Sequence, residues 1–168
     1  MTWRAIFFNG PCFRVGHFVG SVERLAWAKA NGCPWEVRTC AAVAGNGDLA
    51  VLKWARAHWC PWDDSTCSFA ALGGHLELLQ WAREHDCPWD MATCEYAALA
   101  GHLMVLQWAR GHGCPWDELT CHCVVWVLDS PELMEVLRWA REPGAPWEAA
   151  TRDLAATKGY TDDLPLSP

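Results

Sequence analysis

Apolar positions fall into short segments of two alternating kinds. The stretch from Thr93 to Ala100 is rich in alanine, as a small helix packed closely on its neighbours would be. Gly101 breaks it. From His102 to Arg110, Leu103, Leu106 and Ala109 follow at spacings of three, one face of an amphipathic helix. Gly113 and Pro115 mark its stop. The pattern predicts helix, tight turn, helix, loop.

This unit recurs. Cys33, Cys60, Cys87 and Cys114 stand 27 residues apart, each followed by Pro-Trp, and Ala145-Pro146-Trp147 comes 31 residues after the last. Trp27, Trp54, Trp81, Trp108 and Trp139 keep the same intervals, so ten of the 13 tryptophans belong to the repeat and only Trp3, Trp59 and Trp126 stand outside it. A two-helix unit cannot bury enough apolar surface to offset the entropy of ordering it, so neighbours must stack. An all-α solenoid is therefore expected. It forms a single repeat domain over 1–168, with a degenerate first unit at 7–32, core units at 33–59, 60–86, 87–113 and 114–144, and a truncated capping unit at 145–168. The fourth core unit carries four extra residues, and there Ser130 suits an N-cap and Pro131 the first helical position.

Charge and composition narrow the function. With 13 Lys+Arg against 20 Asp+Glu, the net charge of −7 weighs against nucleic acid or an anionic membrane as partner. No run approaches the ~20 apolar residues of a membrane span. Ala5–Phe8 is too short for a signal-peptide core. Ten cysteines without a secretion signal are expected to be reduced thiols in an intracellular protein.

At this point the units resemble ankyrin repeats. Ala97-Ala98-Leu99-Ala100-Gly101-His102 and Ala70-Ala71-Leu72-Gly73-Gly74-His75 look like the family's Ala-Ala-x-x-Gly-His core. Thr39, Thr66, Thr93 and Thr120 stand where the family has the proline that starts its first helix. Each unit is shorter than the family's, and the missing part is where its β-hairpin projects. The resemblance implies an ankyrin-like helix-turn-helix solenoid with reduced or absent β-hairpins. The short Cys-Pro-Trp-Asp form is similar to the ankyrin-type repeats of giant DNA viruses of amoebae. That implies a viral protein acting in the host-cell cytoplasm as a protein-protein interaction module, without enzymatic activity. Its partner would be a protein of unidentified kind, such as a host protein.

The motif Cys-Pro-Trp-x-x-x-Thr-Cys also suggests zinc or redox chemistry. Structural zinc sites space paired ligands more closely than Cys87 and Cys94, and stacked helices at ~8–10 Å would hold cysteines of successive units apart. Core filling is the preferred reading, with no cofactor and no metal, and a zinc-binding or redox protein is the third-ranked alternative. A structural or virion-packaged component is the second. His75 and His102 fall in the inter-helix turn, and His58, His85 and His112 at helix ends. No catalytic constellation stands out. Lys29, Arg56, Arg83 and Arg110 precede Glu36, Asp63, Asp90 and Asp117 by seven residues, which suggests repeated ion pairs.

Positions that vary between units are free for recognition. In the first helices these are Ser68, Phe69 and Leu72, then Glu95, Tyr96 and Leu99, then His122 and Trp126. They are the candidate partner-binding residues.

Overall fold

The computed structural model describes residues 21–117, 120, 131–140 and 157. Among them eight α-helices are delimited and no strand occurs. The helices are α1 Val22–Ala30, α2 Val37–Gly45, α3 Leu49–Ala57, α4 Asp64–Leu72, α5 Leu76–Glu84, α6 Met91–Leu99, α7 Leu103–Gly111 and α8 Pro131–Ala140. The chain is thus an all-helical repeat solenoid in which α2–α3, α4–α5 and α6–α7 are successive helix pairs. Helix α8 begins at Pro131, as its fixed φ favours, and packs on α6 and α7.

The first helix of each unit starts earlier than the alanine pattern suggests: α6 begins at Met91, ahead of Thr93. At α4 and α6 the acid after Pro-Trp caps this early start. Asp63 Oδ1 accepts the backbone N–H of Ser65, and Asp90 Oδ1 that of Ala92, both at 3.1 Å. These side chains satisfy amides that the helix start leaves without partners. Glu36, one carbon longer, occupies the same position without such a bond.

Two backbone positions repeat with left-handed geometry. Gly47, Gly74 and Gly101 turn each first helix into its second, with φ of 76°, 74° and 74°. Two residues past the end of each second helix, at 32, 59, 86 and 113, the backbone is left-handed again, with φ of 75° at Gly32 and 81° at Gly113. Trp59 and Asp86 adopt the same conformation, at 66° and 61°.

Successive first helices contact each other far more extensively than successive second helices do. Small side chains permit this approach: Ala44, Ala70, Ala71, Ala97 and Ala98 are fully buried. The second helices contribute Leu52, Leu79, Leu106 and Leu137, one per unit and all fully buried.

Candidate partner-binding face

Because the inward face of each first helix is filled by alanine and cysteine, its opposite face carries the residues that vary between units. Phe69 and Leu72 project from α4 at 41% and 38% exposure. Tyr96 on α6 meets Phe69 edge-on, with ring centroids 6.3 Å apart and planes at 83°. Leu99 is half-buried, as is Glu95. Burial raises the Glu95 carboxyl above its ordinary range, and the charges of Asp117 and Asp90 push the same way.

Ser68 does not belong to this face. It is buried at 4% exposure; its hydroxyl donates to the Asp64 carbonyl at 3.1 Å and lies 3.4 Å from Thr93 Oγ1. The next position along the helix, Phe69, points outward; a turn of ~100° per residue separates the two directions. His122 and Trp126 lie outside the described residues.

Beside Phe69 the face is hollow. A cavity of about 390 Å³ is lined by Ala42, Gly45, Asn46, Phe69, Leu72 and Gly73. Its origin is one repeat position: the first helices carry Leu72 and Leu99 where α2 has Gly45. The absent side chain leaves room over α2. A Cβ at Gly45 would come within 3.6 Å of Phe69, an ordinary contact. The variability of position 45 was legible in the sequence; the roles of Asn46 and Gly73 were not, because both are turn residues brought in by stacking.

The repeated cations lie on tryptophan rings. The Arg56, Arg83 and Arg110 guanidiniums lie over Trp62, Trp89 and Trp116 at 4.0, 4.2 and 4.0 Å from the ring centroids. Each also donates to the carbonyl of the cysteine four residues on, Cys60, Cys87 or Cys114. Lys29 sits over Trp35 at 4.6 Å. Of the acids, Asp63, Asp90 and Asp117 accept backbone N–H groups at helix starts. His58, His85 and His112 donate Nδ1–H to the carbonyls of Trp54, Trp81 and Trp108, each at 2.8 Å, and lie against those indoles.

The cysteines are closer across units than helix spacing suggested. The Cys40 thiol reaches the Cys60 carbonyl, and the Cys60, Cys87 and Cys114 thiols reach the Glu36, Asp63 and Asp90 carbonyls of the unit before, at 3.3–4.0 Å. Donating to Cys60, together with burial, pushes the Cys40 thiol far up. Receiving that bond brings Cys60 down. Among the described residues no three His, Cys, Asp or Glu side chains converge as a metal site would require.

The stacked helix pairs, the shared core and the outward variable face define a helical repeat protein. No family model matches the chain. No curated protein matches it either. It is similar to the solved structure of the pentatricopeptide repeat protein PPR10 in complex with an 18-nt psaJ RNA element, with 16% identity and a TM-score of 0.43 over 86% of this chain. A triple cysteine-to-serine form of that protein with the same RNA gives the same figures. The chain spans 26% of the length of either. That likeness concerns the helical repeat fold. It also corrects one expectation: those structures hold RNA, so the exclusion of a nucleic-acid partner does not stand. The physical reason is that net charge sums over the whole molecule, whereas a strand meets one face of a solenoid.

Among the described residues no helix is long and apolar enough to cross a membrane.

Proposed function

We propose that the chain is a non-enzymatic binding module, a short ankyrin-type repeat domain, that holds a protein partner against the face formed by α2, α4 and α6. The observation that carries this reading is the apolar hollow beside Gly45, flanked by the exposed Phe69 and Leu72 and continued by Tyr96. Aromatic side chains at the centre of a concavity are the usual anchors of protein interfaces, because they bury large area at low entropic cost. The site residues of this proposal are Phe69, Leu72, Glu95, Tyr96 and Leu99. Its setting is the cytoplasm of a host cell, as the viral resemblance implies, with the repeat units divided as the sequence divides them.

The test is a quantitative pull-down from host-cell lysate with the native chain and with a Phe69→Ala, Leu72→Ala, Tyr96→Ala variant whose helicity is verified by circular dichroism. A protein captured by the native chain and lost from the variant supports the proposal. Capture abolished by ribonuclease, or retained equally by the variant, overturns it.

A further inference from the structure

Three unit junctions share one arrangement of sulfur. Cys60, Cys87 and Cys114 open the loops, and Cys40, Cys67 and Cys94 lie on the first helix of the unit before. All six side chains are buried, with exposures of 0–1%. The Cys87 thiol lies 3.4 Å from the Asp63 carbonyl, Cys114 lies 3.3 Å from that of Asp90, and Cys60 lies 4.0 Å from that of Glu36. Cys40 Sγ in turn lies 3.9 Å from the Cys60 carbonyl. Each loop cysteine is thereby tied to the start of the preceding first helix, the helix that carries the other cysteine of its pair. Each pair is separated by 20 residues in sequence.

We propose that these pairs are oxidisable staples, Cys40–Cys60, Cys67–Cys87 and Cys94–Cys114, each able to form a disulfide that locks one unit to the next. With each loop thiol held at the start of the helix that carries its partner, the two sulfurs have to close to the ~2.05 Å of an S–S bond. The sequence motif suggests a different connectivity, seven residues apart within Cys-Pro-Trp-x-x-x-Thr-Cys. That pairing would join the loop to the second turn of the helix that follows it, whereas the contacts run to the unit before.

Oxidation by a peroxide balances. One sulfur attacks the peroxide, the O–O bond breaks, and a sulfenic acid forms with release of one water. The second thiol attacks that sulfenic sulfur, the S–S bond forms, and the sulfenic hydroxyl leaves as a second water, each water carrying one of the two thiol protons. The two sulfurs lose two electrons and the peroxide gains them. The nucleophile is the thiolate. In the first and third pairs the Cys60 and Cys114 thiols are brought down by the hydrogen bonds they receive from Cys40 and Cys94, which favours attack by the loop sulfur.

The experiment treats the full reduced chain with hydrogen peroxide in native buffer, and a second sample during refolding from denaturant, where burial gives no protection. Remaining thiols are alkylated under denaturing conditions and the digest is mapped without reduction. The expected products join Cys40 to Cys60, Cys67 to Cys87 and Cys94 to Cys114. The thermal midpoint should rise by several degrees and fall back on reduction. In Cys60→Ala, and independently in Cys67→Ala, the orphaned partner should remain alkylatable while the other two pairs close. Cross-links seven residues apart, scrambled products, over-oxidised cysteines, or thiols that stay alkylatable in both samples would overturn the proposal. Mapping of the native chain decides even where a variant does not fold.

Discussion

The His75 imidazole lies so close over Gly47 that a Cβ placed on that glycine would come within 2.4 Å of the ring. The same ring sits with Nε2 3.2 Å from the Gly45 carbonyl, so it closes the turn of the preceding unit. His102 repeats the arrangement over Gly74, with Nε2 3.1 Å from the Leu72 carbonyl. Gly47→Ala meets two penalties together: a left-handed φ of 76° and displacement of an anchored ring. It should destabilise by about 2 kcal/mol in urea unfolding. The double variant with His75→Ala should show a non-additive recovery, because the ring clash is then gone. Strict additivity would mean that backbone conformation alone sets the cost.

Trp59 occupies a position that Gly32 and Gly113 fill elsewhere, with φ of 66° and 90% of its surface exposed. Its side chain buries almost nothing to offset the left-handed strain. Trp59→Gly should therefore raise stability by about 1 kcal/mol, read as a higher denaturation midpoint at unchanged slope. A loss of stability would show that the indole makes contacts outside the described residues.

Glu95 is held above the ordinary carboxylate range, mainly by burial and then by Asp117 and Asp90. The folded state thus binds its proton more tightly than the unfolded state. The stability it contributes is present below the ordinary carboxylate range and is lost as pH rises through that range to the raised folded value. Glu95→Gln should flatten the fall in thermal midpoint over that window and leave the variant slightly more stable at neutral pH. Below the window the two proteins should converge. A parallel offset at every pH would assign the effect to packing.

Gly45 is the last residue of α2, its φ is not left-handed, and the space above it is open to a side chain. Gly45→Ala should stabilise by about 0.5 kcal/mol, the low end of the gain in a helix interior because the position closes the helix. Gly45→Leu should keep the fold and fill the hollow beside Phe69. If that hollow is the recognition site, the leucine variant loses its partner in the pull-down while thermal stability is retained. Undiminished binding would move the site away from α2.

The sequence alone determined the repeat, its period, the helix-turn-helix unit and the all-α class. Those properties are written in spacing: alanines and leucines recur with helical periodicity, and glycines stand where the backbone turns left-handed. It also singled out Phe69, Leu72, Tyr96 and Leu99, because variation against a fixed scaffold is visible within one chain. Tertiary structure decided what each chemical group touches. Ser68 and Phe69 are neighbours in sequence, yet one is buried against Thr93 and the other faces outward. Asp63 and Asp90 cap helices while Arg56 and Arg83 lie on tryptophans, a division that charge spacing does not encode. The Cys40 thiol reaches the Cys60 carbonyl, and the Cys87 and Cys114 thiols reach the Asp63 and Asp90 carbonyls, across unit boundaries. Periodicity fixes which residues share a helix face, but only the offset between stacked units fixes which faces meet.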